Sequence, residues 1–375
     1  MIPQYRPIYG ELEAELVYNL IKSGSWLSEF EKTKEFEEEL AKICDAPYVS
    51  CVNNGTIAIS IALMALKYPF KETLKYAKVL LPNITMIATA TACEFVGADV
   101  VFGDVDEFGC LDVNKAIEKL NKDKSITDVI YVTLNGRIDV EGVIKLKKFC
   151  EKNHIGFIKD DAQSLGSYTH LRGVSLQSKE YGDIHTLSFS PHKLVSCGQG
   201  GAIVTHSKEL YDTVERLKDF GRLEGSGGDK HDYYGINSKF SEIQATLGLC
   251  QLKNVDEKIK FKRNLYELYY VNLKSVHGVY MKTGHLNWTP WFVDVYVHRR
   301  TELMKHLKDN GIQTREIYPR LSEQKIYKDE DSNESYPMSE CIEREGLWLP
   351  SSFDLKDEEV LFICNKIKEF YEHKK

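Results

Sequence analysis

Short apolar segments rich in β-branched residues alternate with helical segments through the first half of the chain. Strands are predicted at residues 48–52, 79–81, 100–102, 129–133 and 155–158, and helical periodicity covers residues 57–66 and 88–95. Strands that alternate with helices are typical of a parallel sheet whose two faces are both covered. The pattern therefore predicts an α/β fold built on a mostly parallel sheet.

The second half of the chain continues into a smaller unit. A charged helix begins near residue 254, and it is followed by predicted strands at 291–297 and 312–318, a helix at 302–308 and a final helix at 356–371. A chain of 375 residues is long enough for one large and one small domain. We expect a large domain of residues 1–253 and a smaller α/β domain of residues 254–375.

The composition argues against several classes of protein. The formal net charge is −7 and no basic patch with interleaved aromatic residues occurs, so no nucleic-acid partner is expected. The first residues lack the regions of a signal peptide, and no apolar run is long enough to span a membrane. Nine cysteines form no C-x-x-C pair and eleven histidines show no ligand spacing, which predicts reduced cysteines, a cytoplasmic location and no metal.

One lysine lies between two predicted strands in residues 182–205. The first strand ends at Ser188 and the second begins at residue 202, so Lys193 is on the turn that joins them, before a run of glycines. Such a turn can hold an amine over a pocket. A solvated lysine on a hairpin loop fits the same pattern, because a sequence does not show the burial that lowers the pKa of a lysine. The glycines fail the G-x-G-x-x-G spacing of a dinucleotide site.

Two other strand ends could bind a ligand. The strand at 155–158 delivers Asp160, Asp161 and Gln163 at its carboxyl end, where open α/β sheets bind ligands and where a carboxylate could hold a pyridinium proton. The strand at 48–52 is followed by Asn-Asn-Gly-Thr and a helix, and the amides at such a helix start suit a phosphate. An ordinary strand–turn–helix connection has the same pattern.

These motifs together closely resemble the DegT/DnrJ/EryC1/StrS family of sugar aminotransferases. The resemblance rests on D-x-x-Q at Asp160 and Gln163, S-F-x-P-x-K from Ser188 to Lys193 and the glycine run, and it extends from residue 2 to about residue 371. It implies an aspartate-aminotransferase-like fold of type I, pyridoxal 5'-phosphate (PLP) as cofactor with pyridoxamine phosphate (PMP) as its intermediate form, and a homodimer with active sites at the subunit interface.

The resemblance also implies roles for individual residues. Lys193 forms the Schiff base with PLP and moves a proton, while its neighbour His192 has no role of its own. Asp160 keeps the pyridine nitrogen protonated, and the spacing to Gln163 favours Asp160 over Asp161. Gln163 contacts the side of the ring that carries the hydroxyl group.

The remaining cofactor contacts follow from the same resemblance. The phosphate contacts are expected from Gly55, Thr56, Ile57 and Ser188. Met86 occupies the position where the family usually has an aromatic residue stacked on the ring. Asn237 is expected to reach the phosphate bound by the neighbouring subunit, which makes a dimer the active unit.

Substrate contacts are harder to assign. Arg315, Tyr318 and Arg320 could reach an anionic substrate, although an arginine in such a position is more often part of a surface ion pair. Asn135 and Arg137 follow the strand at 129–133, where family members more often have an aromatic residue in place of Asn135. Asn135 and Arg137 indicate that the part of the substrate bound here differs from the one bound by other family members. A type I′ turn explains the Asn-Gly sequence equally well.

The family implies transfer of an amino group from L-glutamate to a keto sugar, with a nucleotide-linked 4-keto-6-deoxy sugar of surface-polysaccharide synthesis as the expected acceptor. Met86 and Asn135 leave room for a smaller acceptor, such as a phosphorylated three-carbon ketone used in capsule building. A PLP-dependent sugar dehydratase is disfavoured, because that branch carries histidine in place of Lys193. A PLP-binding sensor would normally need an added DNA-binding or interaction module, and we expect the chain to have no residues to spare for one.

Overall fold

The computed structural model describes residues 1–67, 75, 77–169, 174–222, 229–231, 233–283, 288–329 and 334–372. A glycine-rich loop, which the sequence predicts at residues 224–229, lies outside these ranges except for Asp229.

Helices and strands alternate along the described chain. The helices are α1 (Glu11–Lys22), α2 (Glu31–Cys44), α3 (Gly55–Lys67), α4 (Ala88–Phe95), α5 (Val113–Lys122), α6 (Val140–Lys152), α7 (Lys208–Lys218), α8 (Glu242–Leu252), α9 (Val255–Leu273), α10 (Arg300–Asp309), α11 (Pro337–Glu345) and α12 (Asp357–Glu372). The strands are β1 (Tyr48–Val52), β2 (Lys78–Pro82), β3 (Asp99–Gly103), β4 (Asp128–Val132), β5 (Gly156–Asp160), β6 (Tyr168–Thr169), β7 (Val174–Ser175), β8 (Ile184–Ser188), β9 (Gly201–Thr205), β10 (Val279–Tyr280), β11 (Asp294–Val297), β12 (Arg315–Glu316) and β13 (Gly346–Trp348).

A seven-stranded sheet forms the centre of the large domain. Its strand order is β1-β9-β8-β5-β4-β2-β3, and β9 runs antiparallel to its neighbours β1 and β8, whereas the other neighbouring strands are parallel. The prediction of a mostly parallel sheet is therefore confirmed. Because β1, β8, β5 and β4 run in the same direction, their carboxyl ends meet at one edge of the sheet.

Both faces of this sheet are buried. On β2, Val79 and Leu81 pack with α3, α4 and α7, whereas Leu80 packs with α5 and α6 on the opposite face. On β9, Ile203 joins the first of these cores, while Val204 joins a third core that includes α2 and α8. Successive side chains of a strand point to opposite faces, so helices must cover both of them.

A four-stranded antiparallel sheet, in the order β10-β11-β13-β12, forms the smaller unit. Its core contains apolar side chains of α9, α10 and α12. The first residues of the chain join this unit, since Ile2 bridges Ile312. The start of α9 packs with the large domain, whereas its later turns pack in the small core, so the division at residue 254 stays a prediction.

The two strands predicted in the small domain are shorter than the sequence suggests. The strand predicted at 291–297 begins only at Asp294, because side chains rather than a neighbouring strand bind the preceding amides: Phe292 N–H donates to Asn135 and Val293 N–H donates to Ser351. The strand predicted at 312–318 is reduced to β12.

Candidate active site

The predicted cofactor lysine lies at the edge of the sheet where four parallel strands end. Lys193 is on the connection between β8 and β9, and its amide donates to Ser190 O over 3.0 Å. The pairing of Ser188 with Gly201 fixes the two ends of this connection. Burial lowers the pKa of the Lys193 amine to about 8, against a smaller opposing effect of Asp160. Lys193 is half-buried and lines the cavity, so the structure favours an amine partly shielded from solvent over a solvated loop lysine.

Most of the predicted site residues line one cavity of about 540 Å³ at this edge. The predicted residues that it brings together are Gly55, Thr56, Met86, Asp160, Gln163, Ser188, Lys193, Arg315 and Tyr318. Met86 and Arg315 are exposed at its rim, whereas Asp160, Gln163 and Tyr318 are buried. Residues far apart in the chain therefore meet around Lys193.

Asp160 has the environment that a buried acceptor for a positive group needs. It is the last residue of β5, and its carboxylate accepts hydrogen bonds from Thr89 Oγ1 at 2.8 Å and from the Ala162 amide at 3.1 Å. Burial raises the pKa of this carboxyl, although both hydrogen bonds and Lys193 oppose the effect. No lysine, arginine or histidine in the described part of the chain forms an ion pair with it, so a bound cationic group would stabilise its charge.

Asp161, the alternative to Asp160, does not line the cavity. Its carboxylate accepts a hydrogen bond from Thr133 Oγ1 at 2.8 Å, and it lies 2.8 Å from His185 Nδ1 and 3.4 Å from Lys159 Nζ. Burial acts to raise the pKa of Asp161, but Lys159 and His185 lower it to about 2. Because Asp161 is already partnered, the geometry agrees with the spacing argument that chose Asp160.

The amino end of α3 packs directly against Ser188 at the wall of the cavity. A Cβ atom on Gly55 would lie 2.9 Å from Ser188 Cβ, and a Cβ atom on Gly201 would lie 2.6 Å from the carbonyl carbon of Asn54. The backbone can approach β8 and β9 this closely only because both positions are glycine. The first amides of a helix have no acceptor within the helix, so Gly55 and Thr56 can donate to an anion.

Ile57 differs from its expected role. Its amide donates to Asn54 Oδ1 over 2.9 Å, and Ile57 does not line the cavity. Asn54 therefore caps the donor that the resemblance assigned to the phosphate, and a ligand would have to displace this cap to use it.

Arg320 and Asn237 lie away from the cavity of their own chain. Arg320 Nε donates to Glu343 Oε2 over 2.5 Å, so the structure places Arg320 in an ion pair rather than beside Arg315. Asn237 is exposed and forms a β-bridge with Asp219. If Asn237 contacts a cofactor phosphate, as the resemblance implies, that cofactor must therefore be bound by another subunit.

Asn135 and Arg137 were expected to face a substrate, and the structure corrects this expectation. Both side chains are buried, at 2% and 1% exposure, and both bind Asp294 of the small domain. Neither residue lines the cavity. The turn explanation is the better one, because Asn135 and Gly136 have φ values of 54° and 80°, both in the left-handed region that a type I′ turn requires.

Trp291 is a cavity residue that the sequence analysis did not identify. Its ring centroid is 4.4 Å from Lys193 Nζ, and its indole N–H donates to His192 O over 2.7 Å. His192, Asn53, Asn54, Thr85 and Gln199 also line the cavity. No local pattern marks Trp291, since it reaches Lys193 only through the packing of the two domains.

The donor set fits PLP. The cofactor has a positively charged ring nitrogen, an aldehyde that reacts with an amine, and a phosphate. The cavity offers a buried carboxylate without a cation in Asp160, an amine of lowered pKa in Lys193, and the amino end of α3. Each reactive part of the cofactor therefore has a chemically matched group in one cavity.

The described ranges contain neither a metal-ligand cluster nor a membrane-crossing helix. No group of three or more His, Cys, Asp or Glu side chains there has the arrangement of a metal site. None of the helices in those ranges is both long and apolar enough to cross a lipid bilayer.

The chain is similar to known proteins along nearly its whole length. The sequence model of the DegT/DnrJ/EryC1/StrS aminotransferase family matches residues 7–368. GDP-perosamine synthase of Escherichia coli O157:H7 is 32% identical over 379 residues, covering 100% of this chain and 99% of that protein. GDP-perosamine synthase of Vibrio cholerae is 28% identical over 380 residues, with 99% of each chain covered. The structure of Streptomyces venezuelae DesV in complex with a ketimine intermediate superposes with a TM-score of 0.85 at 25% identity, covering 96% of this chain and 94% of that chain. The similarity confirms the predicted fold.

Proposed function

Because the chain belongs to the DegT/DnrJ/EryC1/StrS family and is a PLP-dependent aminotransferase, we propose that it transfers an amino group from L-glutamate to a nucleotide-linked 4-keto-6-deoxy sugar. The observation that carries this proposal is the meeting of Lys193, Asp160 and the amino end of α3 in one cavity. The perosamine synthases covered along their whole length support a sugar acceptor of this class. A role in surface-polysaccharide synthesis is part of the same proposal.

The proposed roles follow from the environment of each group. When bound, PLP supplies an electron sink for the carbon that loses its proton. Lys193 would hold the cofactor, and its lowered pKa leaves a usable fraction of free amine near neutral pH. The same amine, once released, could act as a general base and acid that moves a proton between the substrate carbon and the cofactor carbon. Asp160 would accept a hydrogen bond from the protonated ring nitrogen, while Gly55, Thr56 and Ser188 would bind the phosphate.

Arg315 is the proposed contact for the anionic parts of the substrates. It is exposed at the rim of the cavity, where partial desolvation and, to a smaller extent, the charge of Arg315 lower the pKa of His192. The donor carries carboxylates and a nucleotide-linked acceptor carries a diphosphate, both of which a guanidinium binds well. Arg320 is excluded from this proposal because Glu343 already pairs with it.

The alternative of a small phosphorylated ketone loses one of its two supports. The sequence argument for it rested on Met86 and Asn135, but only Met86 lines the cavity. We therefore retain the nucleotide sugar as the proposed acceptor.

A homodimer is the second part of the proposal. Several large apolar side chains near the amino terminus are exposed, among them Tyr18 at 60% and Trp26 at 70%, and Tyr234 is 68% exposed. Large apolar side chains that are exposed on a single chain can be covered by a second chain at an interface. Asn237, which lies close to Tyr234 in the sequence and away from its own cavity, is then the candidate contact to the partner's cofactor.

An acceptor panel tests the proposed reaction. Purified protein is incubated with PLP, L-glutamate and one acceptor at a time, and 2-oxoglutarate is measured. We expect 2-oxoglutarate with a nucleotide-linked 4-keto-6-deoxy sugar and only background with dihydroxyacetone phosphate. Product with the ketone phosphate and none with the nucleotide sugar would replace the proposed acceptor, while the assignment as an aminotransferase would stand.

A further inference from the structure

The turn that follows β4 is pressed against the small domain. Leu134 to Arg137 form the type I′ turn described above, in which Asn135 has φ 54° and ψ 31° and the Arg137 amide donates to Leu134 O over 3.1 Å. A Cβ atom on Gly136 would lie 2.3 Å from Thr289 O, so this backbone is in direct contact with the small-domain side of the molecule. Asparagine tolerates the left-handed region better than most residues, which explains its compatibility with this turn.

The side chain of Asn135 binds small-domain atoms through all of its polar groups. Its Oδ1 accepts the Phe292 amide at 2.8 Å, and its Nδ2 donates to Phe292 O at 2.9 Å and to Asp294 Oδ1 at 3.0 Å. These three hydrogen bonds require one acceptor and two donors on the Asn135 side chain. A side-chain amide provides both kinds of group. The contact is buried, so its loss would leave polar groups of both domains without partners.

Asp294 is held by the same turn through a second residue. Both of its oxygens accept hydrogen bonds from Arg137 Nη2, and Tyr296 donates to Oδ2 at 3.1 Å. Arg137 also donates to Phe108 O at 3.0 Å. Asn135, Arg137 and Asp294 therefore form one buried connection, which we call the interdomain clasp.

The clasp reaches the cofactor cavity through the backbone of Asn135. The Asn135 amide donates to Gln163 Oε1 over 2.8 Å, and Gln163 Nε2 lies 3.5 Å from Tyr318 Oη of the small domain. Because the acceptor end of Gln163 is occupied by Asn135, its N–H donors are the end left for a ligand in the cavity. The orientation of Gln163 thus depends on a turn that the small domain holds.

We propose that Asn135 is a positioning residue through which the small domain fixes Gln163, so that Gln163 presents its amide N–H groups to the cofactor. This inference rests on the function proposed above. It assigns the Asn135-Gly136-Arg137 sequence a structural role in the site, in place of the substrate contact that the sequence analysis expected. Gln163 is the group that touches the cofactor, and Asn135 acts through it.

A double-mutant cycle in cofactor affinity tests the inference. The four proteins are wild type, Asn135→Gly, Gln163→Ala and the double variant, and the dissociation constant of PLP is measured by absorbance titration of the cofactor-free proteins. Glycine keeps the left-handed backbone and the backbone amide but removes the side-chain contacts of Asn135 within the clasp, while the Arg137–Asp294 ion pair remains. We expect Asn135→Gly to weaken PLP binding about fivefold, the weight of one buried hydrogen bond, and to add nothing in the Gln163→Ala background.

Two controls separate positioning from general loss of structure. Leu307→Ala removes a buried side chain of the small-domain core that lies outside the cavity, and it should lower thermal stability without changing PLP affinity. If Asn135→Gly does not fold, Asn135→Ser takes its place in the cycle, because its hydroxyl can still accept a hydrogen bond from the Phe292 amide.

The outcomes are distinct. Equal weakening by Asn135→Gly with and without Gln163, or no weakening at all, overturns the inference, because Asn135 would then act independently of Gln163 or not at all. Failure of the wild-type protein to take up PLP would overturn the proposed function itself. If the wild type takes up PLP but the effects of the two substitutions on PLP affinity are additive, only the positioning role of Asn135 is overturned.

Discussion

The amine of Lys193 is more acidic than that of an ordinary lysine. Burial lowers its pKa from 10.5 to about 8. Because the unprotonated amine is the nucleophile, PLP uptake by the cofactor-free protein should become faster as pH rises through about 8 and level off above that value. Stopped-flow absorbance over a pH series measures this midpoint. A midpoint near 10.5 would show that the amine is not buried as described.

Replacing Asp160 changes this midpoint in a predictable direction. The Asp160 carboxylate raises the pKa of Lys193 and so opposes the effect of burial. In Asp160→Asn the opposing charge is absent, and the midpoint for PLP uptake is expected below that of the wild type. Glu343→Gln is the matched control, because Glu343 pairs with Arg320 and does not line the cavity, and it should leave the midpoint unchanged. An upward shift in Asp160→Asn would contradict the proposed pairing.

Arg315 and Arg320 provide a matched pair for substrate binding. Only Arg315 lines the cavity, whereas Arg320 is paired with Glu343. Arg315→Ala should raise KM for the nucleotide sugar by about tenfold or more, because a charged hydrogen bond contributes about 1.5–3 kcal/mol. Arg320→Ala should leave KM close to the wild-type value. Steady-state kinetics of both variants decide the matter, and a larger effect of Arg320→Ala would reverse the assignment.

At the level of elements, the amino end of α3 depends on a close approach to β9. A Cβ atom on Gly201 would lie 2.6 Å from Asn54 and 2.8 Å from Gly55 N. Gly201→Ala should therefore displace the start of α3 and weaken PLP binding by about tenfold, since overpacking costs typically about 1–3 kcal/mol. Absorbance titration measures the affinity.

Gly198 is the control for this prediction, because it lies on the same connection. It has a φ of +77°, but a Cβ atom there would meet no other atom within 4 Å. Gly198→Ala should cost backbone strain of about 1 kcal/mol and leave PLP affinity nearly unchanged. Equal loss of affinity in both variants would mean that flexibility of the connection, rather than the position of α3, controls binding.

The sequence identified the parts of the site that depend on local order. The turn that carries Lys193 is marked by two strands and a glycine run, and Asp160 is marked by the end of β5. The start of α3 at Gly55 is marked in the same way by a strand and a turn. Because all these positions follow strands that end at one edge of the sheet, strand order alone brings them together.

The sequence did not identify contacts that depend on how the two domains pack. Asn135 and Arg137 bind Asp294, and Trp291 covers Lys193, through side chains that are distant in the chain. The pairing of Arg320 with Glu343 likewise joins separate segments. A pattern of residues shows which groups are available, but the partner of a buried polar group is decided by tertiary packing.

At the level of the whole molecule, the dimer can be tested by restoring activity from two damaged subunits. Lys193→Ala removes the cofactor lysine, and Asn237→Ala removes the proposed cross-subunit contact. If Asn237 serves the partner's cofactor, a mixed dimer has one site in which both residues are intact. Mixing the two variants after dissociation should then restore about a quarter of the wild-type activity, given random pairing and two sites for each dimer.

The absence of restored activity in the mixture would contradict the cross-subunit role of Asn237. If Asn237 served its own chain's site, each site of the mixed dimer would lack one residue and no activity would return. Size-exclusion chromatography of the mixture confirms that dimers have formed. A protein that remains monomeric and active would contradict the proposed assembly itself.

The central claim is that Lys193 is the lysine that holds PLP and exchanges it for the amine of L-glutamate. Absorbance spectra of the wild type and Lys193→Ala with PLP, before and after addition of L-glutamate, test this claim directly. We expect a visible band of lysine-bound cofactor in the wild type, loss of that band with L-glutamate, and no such band in Lys193→Ala. A wild-type protein without the band, or a Lys193→Ala variant that retains it, would contradict the assignment of Lys193.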